Sequence, residues 1–133
     1  MAEGFAQTYG SDVLQAQSAG LAPAIAVAPL TYKVMLEKNI DVGSLYPKEF
    51  QPAVGSADLI INMSGSALPG NPKVPVETWE IRDPIGESEE IYRDVRDQIE
   101  LRVMQLILTL RARNQSKPAA SAKVDTRRRG LGQ

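Results

Sequence analysis

The apolar positions of this chain change rhythm several times. Ala2, Phe5, Ala6 and Tyr9 fall on one helical face, and Gly10 is placed to end that helix. No Ser, Thr, Asp or Asn stands ahead of it as a cap. Val13 to Ser18 alternates like a short strand and runs into a turn at Ala19-Gly20. Pro29 suits the first position of a second helix reaching about Lys38, with Leu30, Val34 and Leu36 turned inward and Asn39 as a left-handed cap. A helical turn is expected near Pro47 to Ala53. Ala57 to Met63 is continuously apolar enough for a buried parallel strand. The Gly- and Pro-rich stretch from Ser64 to Pro75 reads as a loop, and Val76 to Ile81 alternates again as a strand. From the N-cap Ser88, with Glu89 and Glu90 favouring the dipole, a long helix runs to about Arg113.

That helix carries one stripe, Ile91, Val95, Ile99, Val103, Leu106 and Leu110, which Leu101, Met104, Ile107 and Leu108 widen. Deeper burial against the sheet is the plain explanation; a subunit contact is the other. Helices and strands joined by short connections make an α/β pattern. One element is out of place: a βαβ unit needs a strand before its helix, and this chain opens on the helix. Residues 114–133 show no periodicity and are read as a disordered basic tail behind a domain spanning 1–113.

Charge agrees with that division. Residues 1–113 hold 10 Lys and Arg against 15 Asp and Glu, a net of −5; residues 114–133 hold 5 against 1, a net of +4. An acidic body argues against nucleic acid as a partner, and Arg127-Arg128-Arg129 reads as a solvated run. The apolar stretches are too short to span a bilayer and are broken by Pro23 and Pro29, so no membrane partner is expected and the cytoplasm is the default location. With no cysteine and no histidine among 133 residues, thiolate nucleophiles, thiol redox chemistry, sulfur-based zinc sites and Ser-His-Asp triads are all excluded for this polypeptide alone. No metal or organic cofactor is implied.

The candidate chemistry sits in Val76-Glu77-Thr78-Trp79-Glu80-Ile81-Arg82-Asp83-Pro84. An Asp-Pro pair at the end of a strand places a carboxylate where open α/β sheets bind ligands, and the proline restrains Asp83 to an extended backbone. The same pair also serves as an ordinary turn. Trp79, on an alternating strand, reads as core. Tyr46 and Lys48 read as an exposed loop.

Several segments in the right order carry a resemblance: Met1-Ala2-Glu3-Gly4-Phe5-Ala6, Ser18-Ala19-Gly20, Val34 to Val42, the strand Asp58 to Met63, Trp79 to Pro84, and the helix around Tyr92 to Glu100. Together they resemble the low-molecular-weight protein tyrosine phosphatase and arsenate reductase family over about residues 1–112. The resemblance implies a flavodoxin-like three-layer sandwich around a parallel sheet. It also implies a first central strand leading into a C-x5-R loop that cradles phosphate or arsenate. Asp83 matches the family's general acid. The cysteine and arginine match nothing, because their motif would end just before Met1. Asn62-Met63-Ser64-Gly65-Ser66 lacks the further cysteines of the redox branch, so thioredoxin is not an expected partner, and an oxyanion is a ligand only with the loop restored.

Without the first central strand, unpaired buried backbone groups would cost about 1–3 kcal/mol each, so instability or rescue by strands of another copy, a homo-oligomer, is expected. Three accounts stay open: a mis-started or truncated enzyme whose Met1 is internal, a catalytically dead relative that binds a protein or an oxyanion, and an unrelated α/β interaction domain.

Overall fold

The computed structural model describes residues 1–20, 28–43, 57–70, 72–116 and 122–127. The helical turn expected near Pro47 to Ala53, the Tyr46–Lys48 loop and Arg128-Arg129 lie outside these residues. The elements run α1 (Ala2–Gly10), β1 (Leu14–Ala19), α2 (Pro29–Leu36), β2 (Leu59–Asn62), β3 (Val76–Thr78), α3 (Glu89–Ser116) and β4 (Ala122–Arg127). All the strand pairs are parallel, and the sheet order is β1-β4-β2-β3.

The last strand therefore lies in the middle. β4 pairs with β1 from Leu14↔Ala122 to Ala19↔Arg127, and with β2 from Leu59↔Val124 to Asn62↔Arg127. This corrects two expectations. Residues 114–116 continue α3 and 122–127 form a strand, so the 114–133 segment is not a disordered tail throughout. The place between β1 and β2, expected to lack its strand or to need another copy, is filled from within the same chain. The physical reason lies in a period-two pattern, Ala122-Val124-Thr126 against Lys123-Asp125-Arg127, that Pro- and Ala-rich flanks obscure. Residues on adjacent parallel strands that face one another share a side of the sheet. By register Ala122, Val124 and Thr126 pair with Leu14, Ala16 and Ser18 of β1, and Val124 and Thr126 with Leu59 and Ile61 of β2.

The strands on either side of β4 contribute to the main core. Phe5 and Ala6 of α1, Val34 and Met35 of α2, and Val95, Ile99, Val103, Ile107 and Leu110 of α3 share one apolar cluster with Leu14, Ala16 and Ile61. The approach of α1 to α3 is close enough that a Cβ on Gly10 would meet Ile107 Cγ1 at 2.7 Å. Trp79 is core, as expected. In α2 the buried pair is Val34 and Met35, while Leu36 faces water, one position off the expected inner face. In α3 Ile107 is buried but Leu101 and Leu108 are 60% and 58% exposed, so deeper burial explains only part of the widened stripe.

Local chemistry fixes the helix ends. Ser88 accepts from the Ile91 amide at 3.4 Å and opens α3. Asn39, at φ 60°, closes α2 with Ile40 N–H to Met35 O and Asn39 N–H to Leu36 O, a Schellman arrangement. Between α2 and α3 a charged strap forms: Arg93 donates to both Glu37 oxygens and to Glu89, and Arg96 donates to Glu37 Oε1 at 2.6 Å and to the Val34 carbonyl at 3.0 Å.

Two predictions follow from these contacts. Ending the chain at Ser121 strips β1 and β2 of their shared partner, and with several unpaired groups at about 1–3 kcal/mol each, cooperative thermal unfolding by circular dichroism should be lost. The Arg93 guanidinium, with Arg96 behind it, holds the Glu37 carboxyl down from 4.5 to about 2. A carboxylate with a depressed folded value stabilises above 4.5 and loses that contribution as pH falls towards 2. Glu37→Gln should therefore lower the thermal midpoint at neutral pH, and the difference from the parent should vanish near the acid end of that window.

Candidate active-site crevice

Parallel strands end on one side of the sheet, and ligand crevices of open α/β sheets lie there. At that end β2 runs out at Asn62, whose buried amide organises the following loop. Its Oδ1 accepts from the Ser64 amide at 3.0 Å and from Ser64 Oγ at 2.7 Å, while Nδ2 donates to the Ser66 carbonyl at 2.7 Å. Beside it, the Trp79 amide donates to the Asn62 carbonyl at 3.0 Å and extends the pairing past β3. The indole Nε1–H donates to Glu77 Oε1 at 3.0 Å, and the Arg102 guanidinium lies 5.9 Å from the ring centroid.

The chain then turns at the predicted pair. Asp83 Oδ1 accepts from the Ile85 amide at 3.0 Å, and the Glu87 amide donates to the Pro84 carbonyl at 2.9 Å. Gly86, at φ 76°, takes the third place of that turn, where a residue with a Cβ would be strained. Arg82 ties the loop to its far side through Glu87 Oε1 at 3.0 Å. Asp83 is left exposed at the rim.

Below the rim is a cavity of about 210 Å³, lined among others by Met1, Met63, Ser64, Asp83, Val95 and Ile99. Its floor is apolar and comes from α3; Met1 brings the start of α1 to the same place. A wider hollow of about 600 Å³ continues along Asn62, Ser66, Thr78 and Trp79, sharing Gly65, Ile81 and Arg82 with the first. Tyr92 stands in the first turns of α3, buried, and burial followed by the Asp83 charge raises its phenol above the ordinary 10.0.

Asp83 is thus brought to the crevice, together with Ser64, Gly65, Arg82 and Met1, which the sequence reading did not single out. The Pro- and Gly-rich loop after Met63 was the available signal for Ser64 and Gly65. A second buried cluster holds the start of α1 against the end of β1: Glu3 accepts from Ser18 Oγ at 2.5 Å and from Gln7 Nε2 at 2.9 Å. Nothing in the spacing announced it.

A parallel α/β domain with an Asp-Pro turn over a crevice at its strand ends is the class this geometry defines. The profile of the low molecular weight phosphotyrosine protein phosphatases matches residues 1–116, and the chain belongs to that family. A glutaredoxin arsenate reductase from Synechocystis sp. is 32% identical over 112 residues, covering 80% of this chain and 85% of that protein. A putative arsenate reductase from Halobacterium salinarum is 32% identical over 97 residues, 71% of this chain and 68% of that protein. An arsenate reductase solved in a phosphate-binding state superposes with a TM-score of 0.72 at 32% identity, covering 82% and 86% of the two chains. The family match ends at Ser116, so β4 lies beyond it. Among the described residues, no helix is long and apolar enough to cross a membrane.

The Tyr92 environment gives a direct check on the crevice. In an ultraviolet titration of tyrosinate, with Tyr92→Phe as the subtraction standard, Tyr92 should ionise above 10.0, and Asp83→Asn should move that ionisation down. An unmoved titration would separate Asp83 from Tyr92.

Proposed function

We propose that this chain is the body of a phosphate- or arsenate-handling site that works only with a cysteine loop it does not contain, and that alone it neither hydrolyses phosphate monoesters nor reduces arsenate. The observation behind this reading is the Asp83 turn over an apolar-floored crevice in a sequence with no cysteine. In a completed site the thiolate attacks phosphorus, the bond to the leaving oxygen breaks, and Asp83 hands its proton to that oxygen. In this reading Asp83 is the proton donor, and the sequence has no cysteine to act as the nucleophile. With no thiol in the chain, exchange with thioredoxin has nothing to act on. The cytoplasm is the compartment that fits this chemistry.

A second reading has one observation in its favour: β4 completes the sheet without a further strand. A relative that has given up turnover and binds a protein or an oxyanion would need just such a self-contained sheet.

Turnover of p-nitrophenyl phosphate and of arsenate tests the proposal. The unmodified chain should show neither. A version ending at Ser116, with a strand and a C-x5-R loop fused ahead of Met1, should gain phosphatase activity, and Asp83→Asn in that version should cut the rate by about 10² or more. Turnover by the unmodified chain that disappears in Asp83→Asn would contradict the proposal.

A further inference from the structure

α3 turns one side to the core, where Val95, Ile99, Val103, Ile107 and Leu110 are buried. Its opposite side carries an apolar ridge. Leu101 and Leu108 are exposed, Met104 between them is half-buried, and Ala112 one turn further on is exposed. Spacings of three and four residues keep these side chains on one helical face, over about 16 Å of axis. A single exposed leucine is ordinary, whereas a continuous apolar ridge marks a surface that meets something.

The nearby cations are drawn away from this ridge. The Arg102 guanidinium lies 5.9 Å from the Trp79 ring centroid. Arg111 donates to both Asp12 carboxylate oxygens and to the Tyr9 carbonyl. Long cationic side chains often lie over apolar helix surface, and here both are committed to other elements of the same chain. The residues flanking the ridge, Gln98, Gln105 and Thr109, are uncharged, and the Thr109 hydroxyl donates to the Gln105 carbonyl within the helix.

The charge along α3 points to its occupant. Residues 89–100 hold five acidic side chains against two basic, a net of −3. Residues 101–116 hold three basic and none acidic, a net of +3. Asp94 and Asp97, both exposed, prolong the line of the ridge into the acidic half. A second α3 laid antiparallel sets each acidic half beside a basic one, and a parallel arrangement sets like against like. The helix dipoles favour the same antiparallel direction.

We propose that the Leu101–Met104–Leu108 ridge is the contact of a homodimer, in which two α3 helices pack antiparallel about a two-fold axis between Met104 and Gln105. Leu101 of each copy then meets the partner's Leu108, a self-complementary pairing. Asp94 and Asp97 approach the basic half of the second helix. The ridge is small beside the roughly 800 Å² that each partner buries in a standard interface, so this dimer is weak and depends on concentration.

Sedimentation of the full chain over a concentration series tests this, and the absence of cysteine lets single thiols report the geometry. The unmodified chain should show a reversible monomer–dimer equilibrium. Leu101→Lys with Leu108→Lys should raise the dissociation constant by about tenfold or more and leave the circular dichroism spectrum unchanged, because both side chains are exposed. Gln105→Cys brings two thiols together beside the axis, and a short bis-maleimide should link them into a dimer. Gln98→Cys holds its two thiols about 20 Å apart in the antiparallel pair, beyond that reagent, but side by side in a parallel one. Both cysteine variants keep the leucines, so this readout is independent of how the lysine pair folds. A chain that stays monomeric up to about 0.5 mM, a dimer indifferent to the lysine pair, or thiols at 98 that link as readily as those at 105 would each overturn the proposal.

Discussion

Main-chain pairing along β4 is the constraint from which the rest of this structure hangs. β1 and β2 do not touch each other in the sheet; each is joined to β4, and β3 is joined to the others only through β2. A buried parallel strand without a partner leaves amide and carbonyl groups unmatched, at about 1–3 kcal/mol each, against a total domain stability of about 5–15 kcal/mol. The 28 residues of α3 are what bring the C-terminal segment to that position. α3 starts beside the crevice, where Val95 and Ile99 line the cavity, and passes Asp12 at its far end through Arg111 Nε at 3.0 Å. Asp12 lies two residues before β1, at the end of the sheet where β4 begins beside Leu14.

The crevice depends on the same pairing at one remove. β2 carries Asn62, Asn62 holds the loop of Ser64 to Ser66, and its carbonyl receives Trp79. From Trp79 the chain leads to Arg82 and the Asp83 turn. If β2 were loosened by loss of β4, the loop and the carboxylate would lose their common support. Glu3 fixes the other wall by tying α1 to Ser18 at the end of β1. The site's geometry is thus a property of the sheet.

Much of this was legible in the pattern of residues. The three helices, the first two strands, the Ser88 cap, the left-handed Asn39 and the buried Trp79 follow from local rules and appear where those rules place them. β3 stops at Thr78, short of the expected Ile81, so Asp83 lies in the turn beyond the strand and not at its end. Family membership was legible from the order of several short segments, none of them sufficient alone. What failed was composition used as a proxy for order. Ala122-Lys123-Val124-Asp125-Thr126-Arg127 alternates apolar or small with charged residues, but one valine between Ala122 and Thr126 is too faint a signal beside Lys and Arg. A central position in a parallel sheet is also decided by partners far away in sequence, which no local window contains. Leu101 and Leu108 show the opposite error: apolar residues at helical spacing that the fold leaves in water.

Backbone hydrogen exchange read residue by residue tests the central claim most directly. If β4 lies between β1 and β2, amides within 122–127 exchange as slowly as those of Ile60 and Ile61 and open only with global unfolding. Amides of 122–127 that exchange at the rate of an unstructured chain, while those of α1 and α3 stay protected, would show that the sheet is held together without its last strand and would contradict the account.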